Sequence, residues 1–390
     1  MEKTLDVKIA RILADSSCKD FMLADAKDAD MAFGIAAPGQ SPEFHGHEGK
    51  FRTLAEYRDI IRQVITQAKV DIVLMSASTN EILTIEERLF DNSPVTPAGR
   101  ANDTTDIHVI TGGRYLQQPA RPFRSATIDQ IQCAKCECTA EERKTGANLG
   151  LYSVTFNNDT ELDLRTLEAF KEFRLECEKK GFRYFLEVFT PNLPNAVAPD
   201  KLGQFINDHI VRALAGVPKA GRPLFLKVVY LGPRFVEQLA TYDPTLIPGI
   251  LGGSSGTTYD AFKMLADAKK HGARIALYGR KINNSEHQLA FISFLRLIAD
   301  SDISPEEAVR AYHGVLQRLS ITPYRSLKDD MQITNPALSY GGDPAMVTVP
   351  ATLEDNHKPD FSLMTAKQKL AWNRAKWNQV MGGVSRKGKR

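Results

Sequence analysis

The sequence lacks several features that define whole classes of protein. No stretch of eighteen or more apolar residues occurs in its 390 residues, so no membrane span is expected. The first six residues are mostly polar and contain no apolar signal core, which favours a cytoplasmic location. With 43% hydrophobic and 25% charged residues, the composition is that of an ordinary globular protein and excludes disorder and collagen.

Cysteine is scarce, with five residues in the chain. An odd number without a secretory signal predicts reduced thiols. Three of them, Cys133, Cys136 and Cys138, form the one cluster. A tetrahedral zinc site needs four ligands, and no second cysteine or histidine pair lies nearby. We therefore expect three free thiols, with metal or redox use as the alternative. A loop containing His45 and His47 is likewise expected to be solvated rather than metal-binding.

The net charge of +3 is unevenly distributed. From Lys367 onward there are eight basic residues and no acidic one, so the rest of the chain is mildly acidic. A basic surface spread over the whole chain is absent, and no nucleic-acid partner is expected. A solvated tail is the simplest interpretation, although this end could contact an acidic partner or RNA.

Short apolar runs alternate with amphipathic segments through most of the chain. Strands are predicted at residues 21–26, 71–77, 106–110, 150–156, 183–189, 223–230, 246–252 and 274–278. Eight strands with intervening helices favour a (β/α)8 TIM barrel. The competing open doubly wound sheet lacks a G-x-G-x-x-G motif after the first strand. The predicted organisation is a barrel over 1–302, with an insertion at 112–148 after strand 3, and a partly helical C-terminal extension over 303–390.

Three predicted strands carry an ionisable residue among apolar ones. These residues are Asp25, Glu187 and Lys227, near the carboxyl ends of strands one, five and six. Barrel enzymes keep their chemistry at those ends. A lysine removed from water loses its proton more easily and can attack a carbonyl, with a carboxylate moving protons beside it. A buried ion pair is the structural alternative.

Glycine-rich segments follow the last two predicted strands. Glycines let the backbone approach an anion, and hydroxyls or helix N-terminal amides can bind it. Loops after strands seven and eight are the usual phosphate site of barrels. The candidate phosphate-binding residues are Gly252, Gly253, Ser254, Ser255, Gly279 and Arg280.

Together these motifs resemble the class I (Schiff-base) aldolase superfamily, which includes deoxyribose-phosphate, tagatose-bisphosphate and archaeal-type fructose-bisphosphate aldolases. The resemblance spans roughly residues 21–300 and is clearest around Lys227, Gly252-Gly253 and Gly279-Arg280. It implies that Lys227 forms the iminium with a phosphorylated keto sugar or related ketone. The segment around Glu187 is similar to the tagatose-bisphosphate branch, whose strand-five glutamate is the acid/base.

Within this resemblance Asp25 is expected to orient a hydroxyl or the lysine, and Lys27 is a further candidate for binding substrate. Outside it, Arg114 after predicted strand three is a candidate contact for a substrate phosphate or carboxylate, although a solvated turn is the favoured interpretation. The family needs no cofactor or metal and is usually oligomeric, so a homo-oligomer is expected. Two alternatives remain. One is another phosphate-sugar barrel enzyme, an isomerase or transaldolase-like synthase. The other is a non-catalytic barrel that binds a phosphometabolite or a partner.

Overall fold

Eight parallel strands close into a barrel in chain order, which confirms the predicted (β/α)8 architecture. The computed structural model describes residues 1–39, 51–103, 110, 112–253, 256–335 and 337. The strands are β1 Met22–Lys27, β2 Ile72–Met75, β3 Thr96–Arg100, β4 Leu149–Thr155, β5 Arg183–Phe189, β6 Leu226–Val229, β7 Gly249–Leu251 and β8 Ile275–Tyr278.

Helices surround this barrel, and none within the described ranges is long and apolar enough to cross a membrane. They are α1 Thr4–Ala14, α2 Leu54–Gln67, α3 Ala77–Asn80, α4 Ile128–Cys133, α5 Thr160–Lys180, α6 Pro199–Ala215, α7 Pro233–Tyr242, α8 Thr258–Lys270, α9 Arg280–Asn283, α10 Gln288–Asp300, α11 Pro305–Arg318 and α12 Leu327–Asp330. A π-helical turn, Glu81–Glu86, continues α3.

The third strand lies earlier in the chain than predicted, at Thr96–Arg100 instead of 106–110. Residues 104–109 lie outside the described ranges. Proline and glycine are uncommon inside strands, so Pro97 and Gly99 hid this one. Gly99 is needed because a Cβ there would lie 2.6 Å from the side chain of Ile131 in α4. The insertion therefore starts directly after Arg100.

The barrel interior is filled by apolar side chains from alternate positions of the strands. Helix α1, for which the sequence analysis proposed no element, contributes Leu5 and Ile9 to this interior cluster. Because they pack with Met22 and Ile275, at the amino ends of β1 and β8, α1 closes the amino end of the barrel. The opposite, carboxyl end remains for the polar residues.

The sequence analysis predicted three free thiols in the cysteine cluster, and this prediction is wrong. Cys133 and Cys138 form a disulfide, whereas Cys136 between them is free and exposed. An odd total of cysteines does not prevent two of them from pairing, and the short segment from Cys133 to Cys138 brings their sulfurs together. No group of residues suited to hold a metal ion occurs in the part of the chain that is described.

The first part of the predicted extension packs on the barrel. Ala308, Val309 and Tyr312 of α11 belong to the same buried cluster as residues of α8 and α10. The chain then returns to the start of α8, where Asp330 Oδ1 accepts a hydrogen bond from Thr258 N at 2.7 Å. The predicted C-terminal helix near 365–381 and the basic tail lie outside the described residues, as do His45 and His47.

Candidate active site

Lys227 and Glu187 form an ion pair inside the barrel. They lie on the neighbouring strands β6 and β5, directly opposite each other in the strand register. Each shares its face with an interior phenylalanine two residues earlier in its strand, so both side chains point inward. Lys227 Nζ lies 2.6 Å from Glu187 Oε1, and both side chains are at most 9% exposed. The sequence analysis expected a carboxylate beside the lysine and named a buried ion pair as the structural alternative, and the strand register places the two side chains together.

Glu187 is held from its other side by residues of β4 and the loop after β3. Ser153 Oγ donates a hydrogen bond to Glu187 Oε2 at 2.8 Å. Asn102 fixes Ser153 in turn, because its side chain accepts from Ser153 N at 2.7 Å and donates to Ser153 O at 2.8 Å. Each oxygen of the Glu187 carboxylate thus has a partner, which orients it toward the lysine amine.

A second ion pair extends the polar mouth toward β1. Arg100 Nη1 lies 3.0 Å from Asp28 Oδ2, and its Nε donates to Asn102 O at 3.0 Å. Asp28 follows β1 on the same side as Ala24 and Ala26, which face the interior. A continuous network of buried polar groups therefore runs from Asp28 to Lys227 across the carboxyl ends of the strands.

Asp25 does not join this network, which corrects the expectation that it meets Lys227 and Glu187. Asp25 and Lys27 share their face of β1 with Leu23, which packs in the cluster between barrel and helices. Lys27 Nζ lies 3.1 Å from Asp25 Oδ2, and it donates to Gln288 Oε1 at 2.8 Å and to Asn283. Alternation shows which residues share a face, not which face is the interior.

Both members of this outer pair are fully buried. Burial lowers the pKa of Lys27, and the charge of Asp25 opposes that effect. Burial likewise raises the pKa of Asp25 against the charge of Lys27. Lys27 is therefore no candidate for binding substrate. It joins the end of β1 to α9 and α10 from outside the barrel.

The predicted phosphate loops lie after β7 and β8, as expected. Gly252 has no room for a side chain, because a Cβ would collide with the ring of Tyr278. Gly253 has a φ of +59°, a conformation that favours glycine. A Cβ at Gly279 would lie 2.9 Å from the carbonyl oxygen of Ala26. Ser254 and Ser255 fall outside the described residues.

Arg280 supplies a positive charge beside this loop. Its guanidinium lies 5.5 Å from the ring centre of Phe33. Burial lowers the pKa of Arg280, while Tyr115 and Glu187 raise it, so the guanidinium is within electrostatic reach of the catalytic candidates. Among the described residues it has no hydrogen-bond or ion-pair partner. This leaves its donors available to an anion.

The start of α8 is already occupied by the chain's own carboxylates. Asp260 accepts a hydrogen bond from Thr257 N at 2.8 Å, and Asp330 accepts from Thr258 N. The sequence analysis expected helix N-terminal amides after the glycine loop to bind phosphate. The amides of Thr257 and Thr258 already donate to the chain's own carboxylates and are not available for that role. An anion at this edge of the mouth would be bound by the loop backbone and Arg280 instead.

The insertion contributes Tyr115 rather than Arg114 to the surroundings of the mouth. Arg114 is exposed in a turn, whereas Tyr115 raises the pKa of Arg280. Asn192, which follows β5, holds this turn by donating to Tyr115 O at 2.5 Å and Gln118 O at 2.7 Å.

Several polar residues of the mouth were not among the predicted site residues, namely Asp28, Arg100, Asn102, Tyr115 and Ser153. Ser153 was visible as a polar residue in a largely apolar strand, but Glu187 and Lys227 were identified by their charge, which Ser153 lacks. Arg100 and Asn102 could not be assigned without the correct third strand.

Comparison with solved structures finds the same barrel fold in fructose-bisphosphate aldolases. A fructose-bisphosphate aldolase from Slackia heliotrinireducens is similar with a TM-score of 0.56 and 13% identity, over 80% of this chain and 90% of that one. An archaeal fructose-1,6-bisphosphate aldolase, with its catalytic lysine bound to the carbinolamine intermediate, is similar with a TM-score of 0.54 and 15% identity. The match covers 76% of this chain and 99% of that one. Another archaeal fructose 1,6-bisphosphate aldolase gives 0.53 and 14% over the same shares.

At this level of identity the likeness shows a common fold. It confirms, at that level, the resemblance found in the sequence. No known protein family and no curated protein matches the chain by sequence.

Proposed function

We propose that this protein is a class I aldolase that acts on a phosphorylated keto sugar or related ketone. The observation that carries the proposal is the buried Lys227–Glu187 pair at the carboxyl end of the barrel, with 2.6 Å between amine and carboxylate. An amine that attacks a carbonyl needs a partner that takes and returns protons, and Glu187 lies within reach for that role. The fold shared with Schiff-base aldolases supports it.

The chemistry follows from these two groups. Lys227 passes a proton to Glu187 and its Nζ attacks the ketone carbon, which forms a carbinolamine. Glu187 returns the proton to the departing hydroxyl, water leaves, and an iminium remains on Lys227. The positive nitrogen then accepts electrons from the carbon–carbon bond next to the iminium carbon as it breaks, while the Glu187 carboxylate takes the proton of the hydroxyl on the departing carbon, which leaves as an aldehyde. Protonation of the resulting enamine and hydrolysis of the iminium restore the lysine.

The phosphate of the substrate would be bound by the β7 and β8 loops. Gly252, Gly253 and Gly279 allow the backbone to approach an anion closely, and Arg280 provides charge and paired N–H donors. The charge of Glu187 acts on Arg280, and we expect the phosphate bound at Arg280 and the carbonyl attacked by Lys227 to belong to one small molecule.

The proposal is tested by reduction with borohydride in the presence of dihydroxyacetone phosphate or fructose 1,6-bisphosphate. We expect a covalent adduct on Lys227, located by mass spectrometry of peptides. In Lys227→Met this adduct should disappear, and aldol cleavage should fall to the background rate. Adduct formation that survives Lys227→Met would overturn the mechanism, and so would its absence across a broad panel of ketone phosphates.

A matched control is the nearby Lys281. Its side chain is half-buried, and burial lowers its pKa to about 8, so it is a second candidate amine. However, Lys281 Nζ donates to Gly256 O at 2.8 Å, within the β7–α8 loop. We therefore expect Lys281→Met to keep the adduct on Lys227. Product analysis distinguishes cleavage from isomerisation or transfer.

A further inference from the structure

A second reactive group lies outside the barrel, in the insertion. Helix α4 ends at Cys133, which is disulfide-bonded to Cys138, and their Cα atoms are 6.2 Å apart. Cys136, between them, is free and exposed. We propose that these three cysteines form a thiol–disulfide exchange site, at which Cys136 forms a mixed disulfide with one half of a small organic disulfide and releases the other half as a thiol.

Proximity is the first argument. Cys136 is three residues from Cys133 and two from Cys138, within the short ring that the disulfide closes. A thiolate near a disulfide attacks either of its sulfurs and forms a new bond. The free thiol thus lies in the same short segment as the disulfide with which we expect it to exchange.

The site also accommodates the reduced state. Cys138 Sγ lies 3.2 Å from the carbonyl oxygen of Asp129, and Cys133 Sγ lies 3.9 Å from that of Glu137. Disulfide sulfurs have no proton to donate, whereas two thiols would each find an acceptor already in place. Opening the bond would leave neither thiol without a partner.

The local structure is held by contacts other than the disulfide. Asp129 forms ion pairs with Arg143 and with Lys180, the latter at 3.2 Å. Arg143 Nη2 donates to Cys138 O at 3.3 Å. These contacts keep the segment in shape when the covalent bond opens.

The exchange balances as follows. In the oxidised protein the Cys136 thiolate attacks a small disulfide, a new S–S bond forms at Cys136, and one small thiolate leaves and takes a proton from water. In the fully reduced protein the same mixed disulfide forms first at Cys136. A second cysteine of the three then attacks the Cys136 sulfur and expels the remaining small thiol. Exchange among the three yields the Cys133–Cys138 bond, and two electrons have passed to the small disulfide.

The remaining cysteines provide internal controls. Cys177 is buried, and burial raises the pKa of its thiol to about 12, so it should stay unreactive. Cys18 is a half-buried free thiol in a different part of the fold, without a neighbouring disulfide. Because Cys136 is exposed and Cys18 is half-buried, each rate of adduct formation is divided by the rate of alkylation of the same thiol by iodoacetamide, which measures simple thiol reactivity.

The experiment uses the full-length protein and glutathione disulfide. The oxidised protein is incubated with it at pH 8, and adducts are located by peptide mass spectrometry. We expect an adduct on Cys136 at a normalised rate at least about tenfold above that on Cys18. Protein reduced with dithiothreitol and reoxidised by the same reagent should regain the Cys133–Cys138 bond. Cys136→Ser should do so at least about tenfold more slowly, whereas Cys18→Ser should match the wild type.

Circular dichroism of each variant shows whether it is folded. Equal normalised adduct rates at Cys136 and Cys18, or reoxidation of Cys136→Ser at the wild-type rate, would show a structural disulfide and overturn the proposal. Retention of zinc by the reduced protein, dependent on Cys136, would overturn it in favour of a metal site.

Discussion

Glu187 is the residue on which the proposed chemistry depends most after Lys227. One of its carboxylate oxygens lies 2.6 Å from the amine and the other accepts from Ser153. A simple structural ion pair would show the same distances, so kinetics must decide between the two roles. The distinguishing property is that an acid/base group changes the rate of proton transfer, whereas a structural pair changes stability.

We predict that Glu187→Gln lowers kcat by about 10²–10⁴-fold, the usual contribution of a positioned acid/base. The amide keeps the shape and can still accept from Ser153, so KM should change little, whereas the uncompensated charge of Lys227 should lower the free energy of unfolding. Stopped-flow borohydride trapping should show slower formation of the adduct on Lys227. Unchanged kcat in a folded Glu187→Gln would refute the proton-transfer role. Ser153→Ala, which removes only the orienting bond, should give a smaller decrease.

Asp25 and Lys27 form a contrasting pair, because their charges lie between the barrel and the helices. Removing one partner of a buried ion pair leaves an uncompensated charge, whereas removing both can be nearly neutral. We predict that Lys27→Met destabilises the protein by roughly 3–5 kcal/mol in urea unfolding, and that Asp25→Leu/Lys27→Met recovers most of this loss. The folded double variant should still form the borohydride adduct. If it folds but forms no adduct, the pair takes part in catalysis.

At the scale of elements, periodicity identified seven of the eight strands and failed where other forces decide. Thr96–Arg100 contains proline and glycine, and it pairs with β2 and β4 because Ile131 packs against Gly99. That close approach is a tertiary contact, which a local pattern cannot show. A local pattern likewise could not show that the face of β1 with Asp25 points toward the helices and not into the barrel. Lys227 and Glu187 were recognised because a charge in an apolar strand is costly whichever face it occupies.

The connection from β8 to α9 is the element that should hold the substrate phosphate. Gly279 lies against the backbone of β1, with a Cβ position 2.9 Å from Ala26 O. We predict that Gly279→Ala shifts this connection, moves Arg280 and raises KM for a phosphorylated ketone at least about tenfold. Adduct formation with an unphosphorylated ketone such as dihydroxyacetone should change much less.

Gly314 in α11 provides the matched substitution, since a Cβ there meets nothing within 4 Å. Gly314→Ala should leave both KM values unchanged and slightly stabilise the helix. Equal effects of Gly279→Ala on phosphorylated and unphosphorylated ketones would argue against a phosphate site at this connection.

At the scale of the whole molecule, the chain beyond the last strand completes the barrel layer and returns to its catalytic end. Helix α11 joins the core through Tyr312, and α12 brings Asp330 to the start of α8. Thr257 Oγ1 also donates to Gln332 O at 2.7 Å. The start of α8 is therefore tied to the extension, which links the stability of this segment to the proposed phosphate site.

Asp330 makes that link dependent on pH. Burial raises its pKa, but hydrogen bonds from Thr258 N and His313 outweigh burial, so the pKa is lowered from 3.8 in the folded protein. As pH falls, the unfolded chain takes up the proton first. The stabilisation is therefore complete above about pH 3.8 and is lost as the pH falls through the folded pKa.

We predict that Asp330→Asn lowers stability by about 1–3 kcal/mol at pH 7, and that its difference from wild type shrinks below pH 4. Urea unfolding from pH 3 to pH 7 measures this, with the exposed neighbour Asp329→Asn as control. A difference independent of pH would mean that the charge of Asp330 does not hold the extension on α8.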